Sequence, residues 1–403
     1  MSSLQKAILK SRLPPVHPLN KRDLLGGRKR DYSAVHWKQY FHDRNFVTIQ
    51  RGKFCVYLSP PSENEDAPLL VMLHGGGYSA LTWAHFSTSI TELIHCQVLA
   101  IDLRGHGETE TADDKDLSAD SLSADVAEVI LQYTKDQNIN SNVFLVGHSM
   151  GGAIAVHIAS QRLLDTCLLG LSVIDVVEGT ALDALASMQS FLRSRPTHFK
   201  SVEHAIEWSV RSGQIRNLDS AKVSMQGQIV NIQTGKLAAS ELWDDAATVE
   251  MKPKDDTCTD SSDKLNPNCI LEEPEDEKAN NANTSSFKSP LPPDQQIQET
   301  KKYSWRINLA QTEEHWPGWF KGLSNMFLEV PVPKLLLLAS IDGLDRTLTV
   351  GQMQGKFQMR VLARCGHAVH EDRPHEVAEV VSQFLVRHKF AQLKTDECVD
   401  HVI

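Results

Sequence analysis

Leu145-Val-Gly-His-Ser-Met-Gly-Gly152 sets a small hydroxyl between two glycines, directly after an apolar run. Asn142 to Val146 reads as a strand, and Met150 to Ser160 as an alanine-rich helix. A strand before Gly147-His-Ser-Met-Gly151 and a helix after it are the context of a nucleophile elbow. Glycines on both sides let the backbone close a turn that Cβ atoms would block. The turn lifts the Ser149 hydroxyl clear and puts it at a helix N-terminus, whose dipole favours developing negative charge. The plain alternative is a glycine-rich helix start.

Outward from the octet, strand-like and helix-like segments alternate. Phe54–Leu58, Leu69–Leu73, Gln97–Ile101 and Leu168–Ile174 read as strands, as do Lys334–Ala339 and Phe357–Leu362. Helical spacing covers Thr82–His95, Ser123–Lys135 and Pro374–His388. Continuous apolar strands separated by helices predict an α/β domain, its mostly parallel sheet covered on both faces. Residues 1–50, with Pro14, Pro15, Pro18 and the basic run Arg28-Lys29-Arg30, read as a flexible N-terminal arm preceding a domain over 51–403. The interval 176–332 breaks the rhythm and reads as a helical cap. Inside it, 244–300 is acidic and poor in aromatics, the composition of a disordered insertion.

Composition bounds the chemistry. Of 403 residues, 41 are Lys or Arg and 51 are Asp or Glu, a net charge of -10. That balance excludes a bulk nucleic-acid binder and disfavours an anionic membrane surface. No secretory signal pattern opens the chain, and no apolar run is long enough to span a bilayer. The seven cysteines are scattered without CxxC spacing, which argues against a disulfide framework or a zinc ribbon and for a reducing, cytoplasmic or nuclear, compartment. Neither a metal nor a cofactor is expected.

Two further elements join Ser149. His74-Gly75-Gly76-Gly77 closes an earlier strand, where glycines let backbone N–H groups approach an oxyanion. The expected oxyanion donors are the N–H of Met150 and one near Gly76 or Gly77. Among 17 histidines, His367 follows the last strand and precedes the last helix, the place of the general base in the chain order Ser, acid, His. His370 and His375 are nearby rivals. For the acid, Asp175 ends one strand while Asp342 and Asp345 end the next, and spacing alone mildly favours the later pair.

The chain resembles the eukaryotic protein phosphatase methylesterases, serine hydrolases of the α/β-hydrolase class. The segments that carry the resemblance include Gly27-Arg-Lys-Arg-Asp31, Leu73-His-Gly-Gly-Gly77, Asp102-Leu-Arg-Gly-His-Gly-Glu-Thr109 and the serine octet. It continues through Ile174-Asp-Val-Val-Glu-Gly-Thr180, Gly351-Gln-Met-Gln-Gly-Lys-Phe-Gln358 and Cys365-Gly-His-Ala-Val-His-Glu-Asp372, and is weakest in the acidic insertion. It implies Ser149 as nucleophile, His367 as base and Asp175 as acid, against the mild spacing preference. It also implies a substrate: the methyl ester on the C-terminal leucine of the protein phosphatase 2A catalytic subunit, met alone or in its holoenzymes. The competing expectations are a silent hydrolase fold that only binds, and a small-molecule esterase.

Overall fold

Leu69–Leu73 is buried at all five positions, as an apolar run without polar alternation has to be. Side chains of a strand point alternately to opposite faces, so this run needs cover on both. It has it: Leu69, Val71 and Leu73 enter one hydrophobic core, Leu70 and Met72 another. The computed structural model describes residues 30–139, 142–244 and 301–394.

Eight strands form the main sheet: β1 (Asp43–Ile49), β2 (Gly52–Leu58), β3 (Leu69–Leu73), β4 (Gln97–Ile101), β5 (Val143–His148), β6 (Leu168–Ile174), β7 (Lys334–Leu338) and β8 (Gln358–Val361). They lie in the order β1-β2-β4-β3-β5-β6-β7-β8, with a two-residue strand at 110–111 beside β2. The β1–β2 hairpin is antiparallel and β2 runs antiparallel to β4. From β4 to β8 every pair is parallel.

Helices α1 (Ala84–Leu93) and Pro374–Arg387 pack on the Leu70 face, supplying Phe86, Ile90, Val377, Val381 and Phe384. Helices α2 (Ala119–Asp136) and α3 (Met150–Ser160) cover the other with Leu122, Val126, Ile130 and Ile154. The chain leaves β3 to one side for β4 and returns on the other side as β5. This reversal opens a crevice at the carboxyl ends of β3 and β5, where parallel α/β sheets bind ligands. Register brings the strand ends together, with Leu73 opposite Gly147, His148 opposite Ile174, and Ile174 opposite Leu337.

Above that edge lies the expected cap. It contains α4 (Glu178–Ser194), helices Val202–Arg211 and Leu218–Ser224, and a separate core around Phe199, Ile206, Met225 and Tyr303. A small antiparallel sheet of 198–199, 303–305 and 229–231, not anticipated from the sequence, ties its two halves together. The main-chain N–H of Ile232 donates to Lys302 O at 2.9 Å, and Glu241 accepts from Asn231 Nδ2 and the Tyr303 hydroxyl at 2.7 and 3.1 Å. The acidic stretch 245–300 lies outside the described residues.

The arm boundary at residue 50 needs correction. Trp37 and Phe41 are buried core residues, and β1 pairs with β2 over seven residues. Only Val47 and Ile49 of β1 are buried, because an edge strand shows most of its side chains to solvent and carries no continuous apolar run. Residues 1–29, with the basic run at Arg28 to Arg30 except Arg30 itself, lie outside the described residues.

Candidate active site

Ser149 joins β5 to α3 with φ 52° and ψ -118°, a strained backbone for a residue with a Cβ. Its N–H donates to Ile174 O of the next strand at 3.0 Å. The flanking glycines are sterically obligatory. A Cβ on Gly147 would stand 2.3 Å from Gly151 O, and one on Gly151 would stand 2.3 Å from Leu73 O. The helix that follows is buried from Met150 to Ala159, so the turn cannot relax by tilting it outward.

One strand over, Asp175 also has a positive φ of 52°. Its N–H donates to Leu337 O at 2.7 Å, its Oδ1 accepts from Ala339 N at 3.0 Å, and its Oδ2 meets His367 Nδ1 at 2.8 Å. The Asp175 side chain is 5% exposed and the His367 side chain 22%, so the pair is shielded at the carboxylate and open at the ring. A carboxylate at Nδ1 places the proton there and leaves Nε2 with the lone pair. From below, His148 Nε2 donates to the main-chain oxygen of His367 at 2.8 Å. Asp372 ties the loop back by accepting from Gly366 N at 2.5 Å and Arg216 N at 2.7 Å.

The rival residues have other partners. Asp345 caps the helix Arg346–Met353 through Leu348 N at 2.8 Å and accepts from the Ser324 hydroxyl. Asp342 lies in the turn Ile341–Gly343, its side chain outside the described set. His370 is fully buried against the Thr82 hydroxyl, and His375 meets the Ser89 hydroxyl. Of the sequence candidates, the structure therefore brings together Ser149, Asp175 and His367.

In the glycine loop, the two candidate positions separate. Gly77, at φ +80°, donates its N–H to His106 Nε2 at 2.9 Å, and Tyr78 N donates to Gly75 O. Gly76 N has no such partner among the described residues, and a Cβ built on Gly76 would stand 3.4 Å from Leu309 and 3.7 Å from the Met150 sulfur. Of the two expected positions, Gly77 thus has its N–H committed to His106, and Gly76 does not.

Two histidines hold this loop, and the sequence reading assigned neither a role. His106 donates from Nδ1 to Arg104 O at 2.8 Å, which frees Nε2 to accept from Gly77. Reciprocally, His74 accepts from Leu103 N at 3.0 Å through Nε2, and its Nδ1 meets Gly75 O at 2.8 Å. The loops after β3 and β4 are thereby stapled, with the rings 4.8 Å apart edge to face. Burial keeps both rings neutral, lowering His74 well below the ordinary imidazole range and His106 to about 4. The signal for His106 was its place between Gly105 and Gly107 at a strand end.

Ser149, Met150, Gly76, Gly77, Asp175 and His367 all line one cavity of about 180 Å3. Val177, Met188, Phe191, Leu192, Leu309 and Trp319 supply apolar wall, and Arg195 the cation. Among the described residues, no group of three or more His, Cys, Asp or Glu is placed to hold a metal ion. No helix among them is long and apolar enough to cross a membrane.

The chain has known relatives in both sequence and fold. Residues 70–380 match the family model described as the alpha/beta hydrolase family. "Protein phosphatase methylesterase 1" of Bos taurus is 48% identical over 97% of this chain and 98% of its own length. "Probable protein phosphatase methylesterase 1" of Caenorhabditis elegans is 37% identical over 97% of this chain and 86% of its own. Among solved structures, E-2-(acetamidomethylene)succinate hydrolase superimposes with a TM-score of 0.57 at 15% identity, covering 85% of this chain and 99% of that one. The thioesterase domain from the curacin biosynthetic pathway does so with 0.51 at 16% identity, covering 84% and 98%. At such identities the likeness is one of fold.

Proposed function

The chain belongs to the protein phosphatase methylesterase family within the α/β-hydrolases, and from that premise we propose that it removes the methyl ester from the C-terminal leucine of the protein phosphatase 2A catalytic subunit. The observation that carries the chemistry is the 2.8 Å contact between Asp175 Oδ2 and His367 Nδ1, one strand away from a serine on a strained elbow. The cavity supports a tail as substrate: about 180 Å3 accommodates an aliphatic side chain and the ester, while the body of a phosphatase stays outside.

In the proposed mechanism, Ser149 attacks the ester carbonyl as His367 Nε2 takes its proton. Asp175 holds the ring and offsets the charge of the imidazolium. The N–H groups of Met150 and Gly76 receive the oxyanion; such donors act strongly in a site shielded from water. When the intermediate collapses, His367 returns the proton to methoxide and methanol leaves. A water molecule, deprotonated by His367, then attacks the acyl-enzyme, releasing the carboxylate tail and restoring the Ser149 hydroxyl. Catalytic subunit in its holoenzymes is the wider partner set, and the cap over the crevice supplies the nearest surface for it.

The test is methanol release from carboxymethylated phosphatase. Wild-type protein should release it stoichiometrically, and Ser149→Ala should release none. Brisk hydrolysis of small acyl esters with no methanol from the phosphatase would replace this reading with a small-molecule esterase.

A further inference from the structure

Arg195 ends α4 as its C-terminal capping residue and lines the same cavity as Ser149. Its guanidinium stacks on the Trp305 ring, 3.5 Å from the centroid, with Trp208 5.8 Å away. Trp305 is itself fixed by donating Nε1–H to Pro196 O at 2.7 Å. No carboxylate pairs with this cation among the described residues, and its buried Nε has no hydrogen-bond partner. It lies against the glycine loop: Nη1 would stand 3.8 Å from a Cβ built on Gly77.

Holding a half-buried guanidinium without a counter-ion is costly, and stacking on tryptophan offsets only part of that cost. Burial lowers its pKa to about 10, so it remains cationic at neutral pH. Structural arginines of this fold are paired, as Arg104 is with Asp125 at 2.7 Å. Arg195 instead keeps its planar fork available on the wall of a cavity in which an uncharged ester would become a carboxylate. A guanidinium fork matches a carboxylate in charge and shape.

We propose that Arg195, braced on Trp305 beside the Gly77 loop, is a recognition site for the terminal carboxylate of the hydrolysed tail. This rests on the methylesterase reading above and adds a property to it: the demethylated tail is a ligand in its own right. The neutral methyl ester gains little from the cation, so Arg195 discriminates product from substrate.

The test is direct binding, which needs no turnover. Acetyl-Ala-Ala-Leu with a free carboxylate, the same peptide as its carboxamide, and acetyl-Ala-Glu-Leu carboxamide are titrated calorimetrically into the full-length protein. Wild type should bind the free acid about tenfold or more tightly than the carboxamide. The preference should shrink to within about twofold in Arg195→Gln and persist in part in Arg195→Lys, which keeps the charge but loses the fork. Thermal melts establish folding, and because each preference is a ratio within one protein, a partly inactive preparation does not distort it. If Arg195→Gln does not fold, the wild-type ratio and its collapse in high salt decide. Equal binding of acid and amide, no measurable binding of the acid at millimolar peptide, or an unchanged ratio in Arg195→Gln overturns the proposal. Recovery of full affinity by the glutamate-containing carboxamide also overturns it, since Arg195 would then read a side chain. If the carboxylate preference holds while methylated phosphatase yields no methanol, the methylesterase reading falls and the anion site stands.

Discussion

Gly77 gives its backbone N–H to Nε2 of His106 across 2.9 Å, so a residue expected to receive an oxyanion instead anchors its own loop to the one after β4. The bond works only while His106 is neutral at Nε2, a state maintained by its burial and by the Nδ1 contact with Arg104 O. Its strength is therefore expressed through the position of Gly76.

Replacing His106 separates positioning from folding. His106→Leu removes the acceptor and should lower kcat by about 10- to 100-fold with little change in KM, short of the loss expected from deleting a donor outright. His106→Gln, whose amide oxygen can accept, should recover part of the rate. Equal losses in both variants, or a change confined to KM, would refute the positioning role.

Asp175 and Asp345 should respond in opposite ways to mutation. Asp175→Asn should lose about 10³- to 10⁴-fold in kcat with a nearly unchanged melt, because the imidazole loses its tautomer and its counter-charge. Asp345→Ala removes a helix cap and should cost about 1 kcal/mol, a few degrees in Tm, with activity retained. Steady-state kinetics and calorimetry on the two proteins make the comparison.

Gly151→Ala should destabilise by about 3 kcal/mol or more, since its Cβ would stand 2.3 Å from the Leu73 carbonyl, a backbone atom that cannot step aside. Gly318→Ala is the matched control. It lies in the helix Trp316–Phe320 with open space around its Cβ and should be neutral or gain up to about 1 kcal/mol. Urea midpoints would expose the contrast, and similar midpoints would disprove it.

Acid should unfold the protein earlier than its carboxylates alone require. His106 is held near 4 in the folded chain against 6.5 when free, so below 6.5 the unfolded state binds the extra proton. The contribution is fully present above 6.5 and is lost as pH falls towards 4, amounting to about 3 kcal/mol for this one ring. His74, His148 and His370 are lowered by burial as well and act in the same direction. Denaturation at pH 5 and pH 7 measures the slope; a flat profile between them would contradict the neutral, buried assignment.

Much of the site was legible because its geometry is local in sequence. A glycine on each side of Ser149, and apolar strands read as ending at Leu73, Val146 and Ile174, placed the elbow and Asp175 at one edge of the sheet. Helix α3 and strand β6 have the very bounds read from the sequence. The strand β1 was missed because Phe46 and Asn45 face water at the sheet edge, breaking the apolar pattern. Spacing mildly favoured Asp342 or Asp345 over Asp175 and could not decide between them, since β6 and β7 are neighbours and both ends reach the same edge. His106 escaped notice for a different reason: a hydrogen bond across 29 residues leaves no periodic trace.

Glu241 and Tyr303, joined side chain to side chain, stand at the two ends of the stretch 245–300. The cap is thus sutured at the base of that excursion, independently of how long the excursion is. Loop-closure entropy grows only logarithmically, each doubling costing about 0.6 kcal/mol, so the chain here can lengthen, shorten or acquire new sequence at negligible thermodynamic expense. The hydrolase carries, in effect, a grafting port. A segment inserted there is free to diverge in sequence while the bond between Glu241 and Tyr303 keeps the cap sheet closed.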